Sequence, residues 1–107
     1  MITVDKETFQ SEVLDSKGLV LVDFYGEGCL PCEALMPDVL ALAEVYGNDI
    51  KFVKINTSSA RRLAISQKVL GLPTVTLYKD GEKLSELAKD DATKTGIEAM
   101  IKTALNK

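Results

Sequence analysis

The chain has 107 residues, 46% hydrophobic and 27% charged, which suits one compact domain over residues 1–107 with its own core and leaves little room for a second. The net charge of −3 is spread along the chain and the longest basic run, Arg61-Arg62, is two residues, so no basic stripe is available to meet nucleic acid. The longest unbroken apolar stretch is the five residues Val39 to Ala43, with Leu19 to Val22 the next strand-like run, far short of a bilayer span, and "MITVDKETFQ" carries no secretory pattern; the expectation is a monomeric cytoplasmic protein without a membrane segment.

Strand-like and helix-like pieces alternate. "ITV" (2–4) is a short β-branched strand. Asp5 offers an N-cap for a helix over 6–16, whose apolar face is Phe9, Val13 and Leu14, and Gly18 ends that unit. "LVLVDFY" (19–25) shows no polar alternation, which reads as a strand buried on both faces in a parallel sheet. A helix follows over 31–47, with Leu35, Val39, Leu42, Ala43 and Tyr46 on one face. Pro37 predicts a kink there rather than a stop, because the apolar pattern continues past it.

"IKFVKIN" (50–56) reads as the next strand. Ser58 or Ser59 then caps a short helix, "ARRLAISQKV". Strand "TVTLY", turn "KDGE" and strand "KLSEL" form a hairpin, for which Asp-Gly between such runs is a strong signal. A last helix runs over 95–107, with Thr95 and Glu98 at capping-box spacing. The order β-α-β-α-β-α-β-β-α predicts an α/β fold: a mixed sheet with helices on both faces.

The chain has two cysteines, Cys29 and Cys32, and no histidine. In a reducing compartment such a pair reads as catalytic or metal-binding rather than as a permanent cross-link. A structural zinc site wants four ligands, and only two thiols are present. A linear two-thiolate Cu(I) site is the better metal rival. A static staple closing so short a loop removes little chain entropy. The redox reading fits the context best. A buried strand leads into Cys29, and Pro31 suits the first turn of the next helix, so Cys29 falls at a helix N-terminus. Unpaired N–H groups and the helix dipole favour an anion there. A thiol with a pKa near ~8.5 is about 3% ionised at pH 7, whereas one lowered to ~7 is about half ionised. Cys29 is thus the expected nucleophile, and Cys32, one turn in, the thiol that attacks the mixed disulfide and releases product.

Asp23 stands in the middle of the buried strand, where desolvation disfavours a charge. Either it faces an edge or an ion-pair partner, or it is a carboxyl of raised pKa able to take the proton Cys32 must lose. Lys54, the mid-strand charge of "FVKI", is the candidate partner. In "GLPT" (71–74), Pro73 is either a plain strand start or follows a cis bond.

These segments resemble the thioredoxin family over nearly the whole chain. "LVDFYGEGCLPCEALMP" is similar to its strand and active-site segment, "GLPT" to its cis-proline loop, and "FVKIN" and "LYKDGE" fall where the family has them. The resemblance implies a thioredoxin fold, with a central sheet flanked by four helices. It implies that Cys29 attacks substrate disulfides, that Cys32 resolves them, and that Asp23 and Lys54 lie behind Cys32. It implies that Pro73 is cis beside the cysteines, so that Gly28, Leu30, Pro31, Leu72, Pro73 and Thr74 form the substrate-binding face. No cofactor beyond the Cys29–Cys32 disulfide is implied. The implied partners are a thioredoxin reductase-type electron donor and disulfide-containing client proteins.

The departures from the family pattern are local. Gly28 replaces the usual Trp before the first Cys, Leu30 the usual Gly after it, and Glu33 the usual basic residue after the second Cys. "AKDD" (88–91) stands where Val-Gly is usual. Glu33 should raise the thiol pKa values relative to a Lys and make the couple more reducing. Thioredoxins with Gly for that Trp resemble those of amino-acid-fermenting anaerobes, which points to a dedicated reductase or a specialised client. The rival readings are a disulfide isomerase or oxidase, a thioredoxin-like binding module without turnover, and a Cu(I)-binding carrier.

Overall fold

A computed structural model describes residues 1–106. Five strands form one sheet, β1 (Ile2–Val4), β2 (Leu19–Tyr25), β3 (Lys51–Asn56), β4 (Thr74–Lys79) and β5 (Glu82–Ala88), in the order β1-β3-β2-β4-β5. β3 pairs in parallel with β1 and β2, while β4 runs antiparallel to β2 and β5. The parallel pairs need crossovers, supplied by helical segments, and the antiparallel pair needs only a turn. That turn is Asp80-Gly81, with φ of 52° and 85°. Two successive positive φ angles are what a tight two-residue hairpin demands, and Asp-Gly adopts them readily.

β2 is the central strand, and the parity of its side chains divides the core. Val20, Val22 and Phe24 face one layer with Phe9, Val13, Ala60, Ala64 and Tyr78. Leu21 faces the other, with Leu35, Val39 and Leu42 of α1 (Leu30–Tyr46) and Ile97 and Ile101 of α3 (Lys94–Ala104). Helical segments therefore cover both faces of the mixed sheet, as the sequence predicts. α1 passes through Pro37 without ending, because its apolar stripe stays anchored on the sheet beyond it.

Three expectations need correction. The segment over 6–16 is not a regular α-helix. Asp5 does cap its start, accepting from the N–H groups of Glu7 and Thr8 at 2.9 and 3.0 Å. The chain then widens to a π-type turn over Gln10–Leu14, with the Asp15 N–H reaching back five residues to the Gln10 carbonyl at 2.8 Å. Glu12 is held from outside as well: Lys51 Nζ donates to its carbonyl at 2.8 Å and pairs with its carboxylate at 2.7 Å.

Neither Ser58 nor Ser59 caps α2 (Arg61–Ser66). Both belong to a preceding 3-10 turn, Thr57–Ser59, which Asn56 caps by accepting from the Ser58 N–H at 2.9 Å. α3 begins earlier than predicted. Its cap is Thr93, whose hydroxyl accepts from the Gly96 N–H at 3.0 Å, so Thr95 lies inside the helix and makes no capping box with Glu98. Glu98 instead accepts from the Tyr46 hydroxyl at 2.6 Å, joining α3 to α1. The final residue of the predicted helix, Lys107, lies outside the described residues.

Candidate functional site

The site lies at the end of the sheet where β2 stops and β4 starts. The register pairs Phe24 with Thr74, so Tyr25 and Pro73 leave the sheet side by side. Gly28, with φ of 74°, turns the chain from β2 into α1, and no atom lies near enough to meet a Cβ there. Cys29 is the N-cap of α1: its backbone is extended, φ −90° and ψ 97°, and its Sγ accepts from the Cys32 N–H at 3.2 Å. Leu30 and Pro31 form the first helical turn, where the missing proline N–H would have had no partner.

Cys29 and Cys32 are joined by a disulfide with Cα atoms 5.2 Å apart. The two sulfurs are unequal. Cys29 is half-buried, while Cys32 is 2% exposed. Leu30, between them, is 73% exposed. In the loop that leads into β4, the Leu72–Pro73 peptide is cis. The Thr74 hydroxyl donates to the Gly71 carbonyl at 2.6 Å and closes that loop. Leu72 packs so close to Gly26 that a Cβ on Gly26 would meet its Cδ1 at 2.8 Å. That contact fastens the loop to the segment carrying Cys29.

Asp23 is 1% exposed. By strand parity it lies on the α1 face, in register with Lys54 of β3 and Val75 of β4. Neither carboxylate oxygen has a hydrogen-bond partner among the described residues, and Asp23 is in neither of the ion pairs found there, Lys51–Glu12 and Lys83–Glu86. The alternative of an edge-facing or ion-paired Asp23 is thereby overturned. Burial pushes its pKa up to about 7, and the positive charge of Lys54 works in the opposite direction. A shallow cleft of about 270 Å³ opens beside these groups, lined by Tyr25, Gly26, Cys32, Glu33, Met36 and Lys54.

The fold thus gathers Cys29, Cys32, Gly28, Leu30, Pro31, Leu72, Pro73 and Thr74 at one end of the sheet, with Asp23 and Lys54 on the face beneath α1. Sequence reasoning passed over two neighbours. Met36 lines the cleft, yet as an apolar residue in an apolar helix it gave no signal. Lys89 donates its N–H to the Pro73 carbonyl at 2.7 Å with φ of 55°; the signal was the lack of a glycine in "AKDD". Among the described residues no three metal-ligating side chains converge, and no helix is long and apolar enough to cross a membrane.

Comparison with known proteins gives the same picture over nearly the whole chain. The family model described as Thioredoxin matches residues 1–103. A thioredoxin of Peptoclostridium acidaminophilum is 60% identical over 101 residues, covering 94% of this chain and 92% of the relative. One of Acetoanaerobium sticklandii is 56% identical over 102 residues, covering 95% and 97%. Thioredoxin C-2 of Corynebacterium nephridii is 33% identical over 86 residues, 80% of each. Matches of this extent, on a chain whose paired cysteines head a helix as a disulfide, place it in the thioredoxin family of thiol-disulfide oxidoreductases, which act by dithiol-disulfide exchange.

Proposed function

We propose that the chain is a protein disulfide reductase and electron carrier in which Cys29 is the attacking thiol and Cys32 the resolving one. The observation that carries this assignment is their unequal exposure at the head of α1. Only Cys29 presents sulfur to a large partner, and the helix N-terminus favours its thiolate. The Cys29 thiolate attacks one sulfur of a client disulfide, the other client sulfur leaves as a thiolate, and a mixed disulfide forms. Cys32 then loses its proton and attacks Cys29 Sγ. The Cys29–Cys32 bond closes, the second client sulfur leaves, and the client has gained two electrons.

Asp23 takes the proton from Cys32. A carboxyl with a pKa of about 7 is divided between acid and base near neutral pH, which suits it to accept and return a proton. Lys54 sets that balance by opposing the desolvation. The cleft that Cys32 and Lys54 line is wide enough to admit water. Gly28, Leu30, Pro31, Leu72, Pro73 and Thr74 receive the client segment. No cofactor is needed beyond the disulfide itself.

With a bare Gly28, an apolar Leu30 and an acidic Glu33, the surface suits a dedicated reductase or a specialised client. Efficient reduction by a common bacterial thioredoxin reductase would end the dedicated-reductase version. The chain acts as one monomeric domain over 1–107 in a reducing cytoplasm, without nucleic acid or membrane.

A redox titration of the Cys29–Cys32 pair in dithiothreitol buffers, read by thiol alkylation and mass, tests the activity. A reversible two-electron couple near or below ~−270 mV is expected for a reductant; one near ~−180 to −120 mV means an isomerase or oxidase. If no intramolecular disulfide forms at any potential, the exchange reading fails and Cu(I) binding is the next measurement. For the roles, Cys32→Ser should accumulate a mixed disulfide with an oxidised client, and Cys29→Ser should not. The opposite pattern would reverse the assignment.

A further inference from the structure

Lys89 sits against local preference, with φ of 55° just past the end of β5. That region favours glycine and is unfavourable for a residue with a Cβ. The pairing of Thr74 with Ala88, and the 2.7 Å bond from the Lys89 N–H to the Pro73 carbonyl, fix it beside the loop that precedes β4. Its aliphatic stem lies across Gly71: a Cβ added to Gly71 would collide with Cε of Lys89 and crowd its Cγ and Cδ at 3.2 Å. The bare α-carbon of Gly71 is what lets the stem lie down. The ammonium is thereby carried along the rim of the Gly71–Pro73 loop. Lys89 is exposed and belongs to neither ion pair of the described residues; its exposed neighbours Asp90 and Asp91 do not pair with it.

Topology puts this charge within reach of any partner that reaches Cys29. β2 ends, β4 begins and β5 ends at the same end of the sheet. Lys89 is two strands from the end of β2, roughly 10 Å at the usual strand spacing. A protein docking its disulfide on Cys29 covers about 800 Å² of this surface, a patch wide enough to include Lys89. Leu70, adjacent to Gly71 and 88% exposed, adds apolar surface on the same loop. On the β5 side Lys89 shares the surface with the exposed Asp90 and Asp91, and the 2.7 Å bond to Pro73 holds Lys89 on the side of the Lys89–Asp91 turn next to the loop. Glu27 turns toward the β3 side, its carboxylate accepting from the Asn56 side chain at 3.3 Å, whereas Lys89 stands on the β5 side.

We propose that Lys89 is a specificity-determining residue, favouring client disulfides whose flanking residue on the β5 side is a carboxylate. The inference rests on the exchange reaction proposed above and adds a client class to it, acidic peptide segments. Its strength is that of an exposed ion pair, about two- to fivefold in rate constant at low salt and lost near 1 M salt.

The test uses the full-length reduced protein and three peptide disulfides that differ only in one residue beside the cysteine, Glu, Gln or Lys. Second-order rate constants are measured for wild type, Lys89→Met, Lys89→Arg and Lys17→Met. Lys17 is an exposed lysine just before β2, at the far end of the sheet, so its removal changes net charge without touching the site. The Gln peptide reports an intact site in each variant. The Glu-to-Lys rate ratio should fall about threefold in Lys89→Met and stay at the wild-type value in Lys89→Arg and Lys17→Met. A ratio unchanged in Lys89→Met, or lowered equally by Lys17→Met, overturns this inference alone. Failure of the wild type to reduce any of the three peptides overturns the exchange reading and the inference with it.

Discussion

Replacing Asp23 by Asn isolates what burial does to one carboxyl. The side chain is 1% exposed with both oxygens unpartnered among the described residues, so the ionised form is the one that suffers. Its pKa rises from 3.8 to about 7 on folding. For an acid shifted upward the penalty is absent below about pH 4, grows as pH rises between the unfolded and folded values, and is complete above about pH 7. Linkage then gives a penalty of about 2 kcal/mol at pH 5 and about 4 kcal/mol at pH 7 and above. Asn resembles the neutral acid in shape and hydrogen-bonding groups, so Asp23→Asn should recover roughly those amounts.

The assay is urea unfolding of the oxidised protein, in which Cys29 and Cys32 are bonded to each other and do not titrate. With a slope of about 1.5 kcal/mol per molar, the midpoint should rise about 1 M at pH 5 and about 2–3 M at pH 8. The slope itself should be unchanged. A gain of equal size at both pH values would refute the reasoning, because it would mean that the folded carboxyl carries no penalty specific to its charge. A loss of stability at pH 8 would mean that Lys54 repays the desolvation in full.

Lys54→Met removes the charge that lowers the Asp23 pKa, so a carboxyl-carbon NMR titration should show Asp23 moving above about 7; no movement would show that the Lys54 charge does not act on Asp23. Thr93→Ala should reduce stability by about 1 kcal/mol through loss of the α3 cap, while Thr95→Ala, at an exposed position inside the helix, should leave the urea midpoint nearly unmoved. Equal losses from the two would return the cap to Thr95. Tyr46→Phe deletes the 2.6 Å bond to Glu98 that ties α1 to α3 and should lower stability by about 1 kcal/mol without altering the unfolding slope; an unchanged midpoint would show that bond to be neutral.

Several features could be read directly because their signals are local. The run over 19–25, apolar except for Asp23 and without polar alternation, could satisfy its side chains only in a strand covered on both faces, and β2 is the central strand. Asp80-Gly81 reads as a hairpin because those two residues accept positive φ at small cost. The cysteine pair at a helix start follows from a strand, a glycine-containing turn and a proline in sequence. Local preference misled where another part of the chain supplied the competing contact. Thr93 and Thr95 are both plausible caps in isolation. The 3-10 turn over Lys89–Asp91 brings the chain into α3 at Thr93. The segment over 6–16 has a helical apolar face, but Phe9 and Val13 must meet Phe24 and Tyr78 while Lys51 holds Glu12, and the backbone widens.

The sequence by itself determined the order of elements, the position of the cysteines at a helix N-terminus and the oddity of a carboxylate in a core strand. Backbone preference and apolar period act over a few residues, so they can be read from a few residues. Tertiary structure decided that Asp23 is unpaired, because only strand order and the seat of α1 fix what surrounds it. It likewise decided that Lys89 stands beside Pro73. Desolvation and charge pairing depend on neighbours in space, and here those neighbours come from strands far apart in the chain.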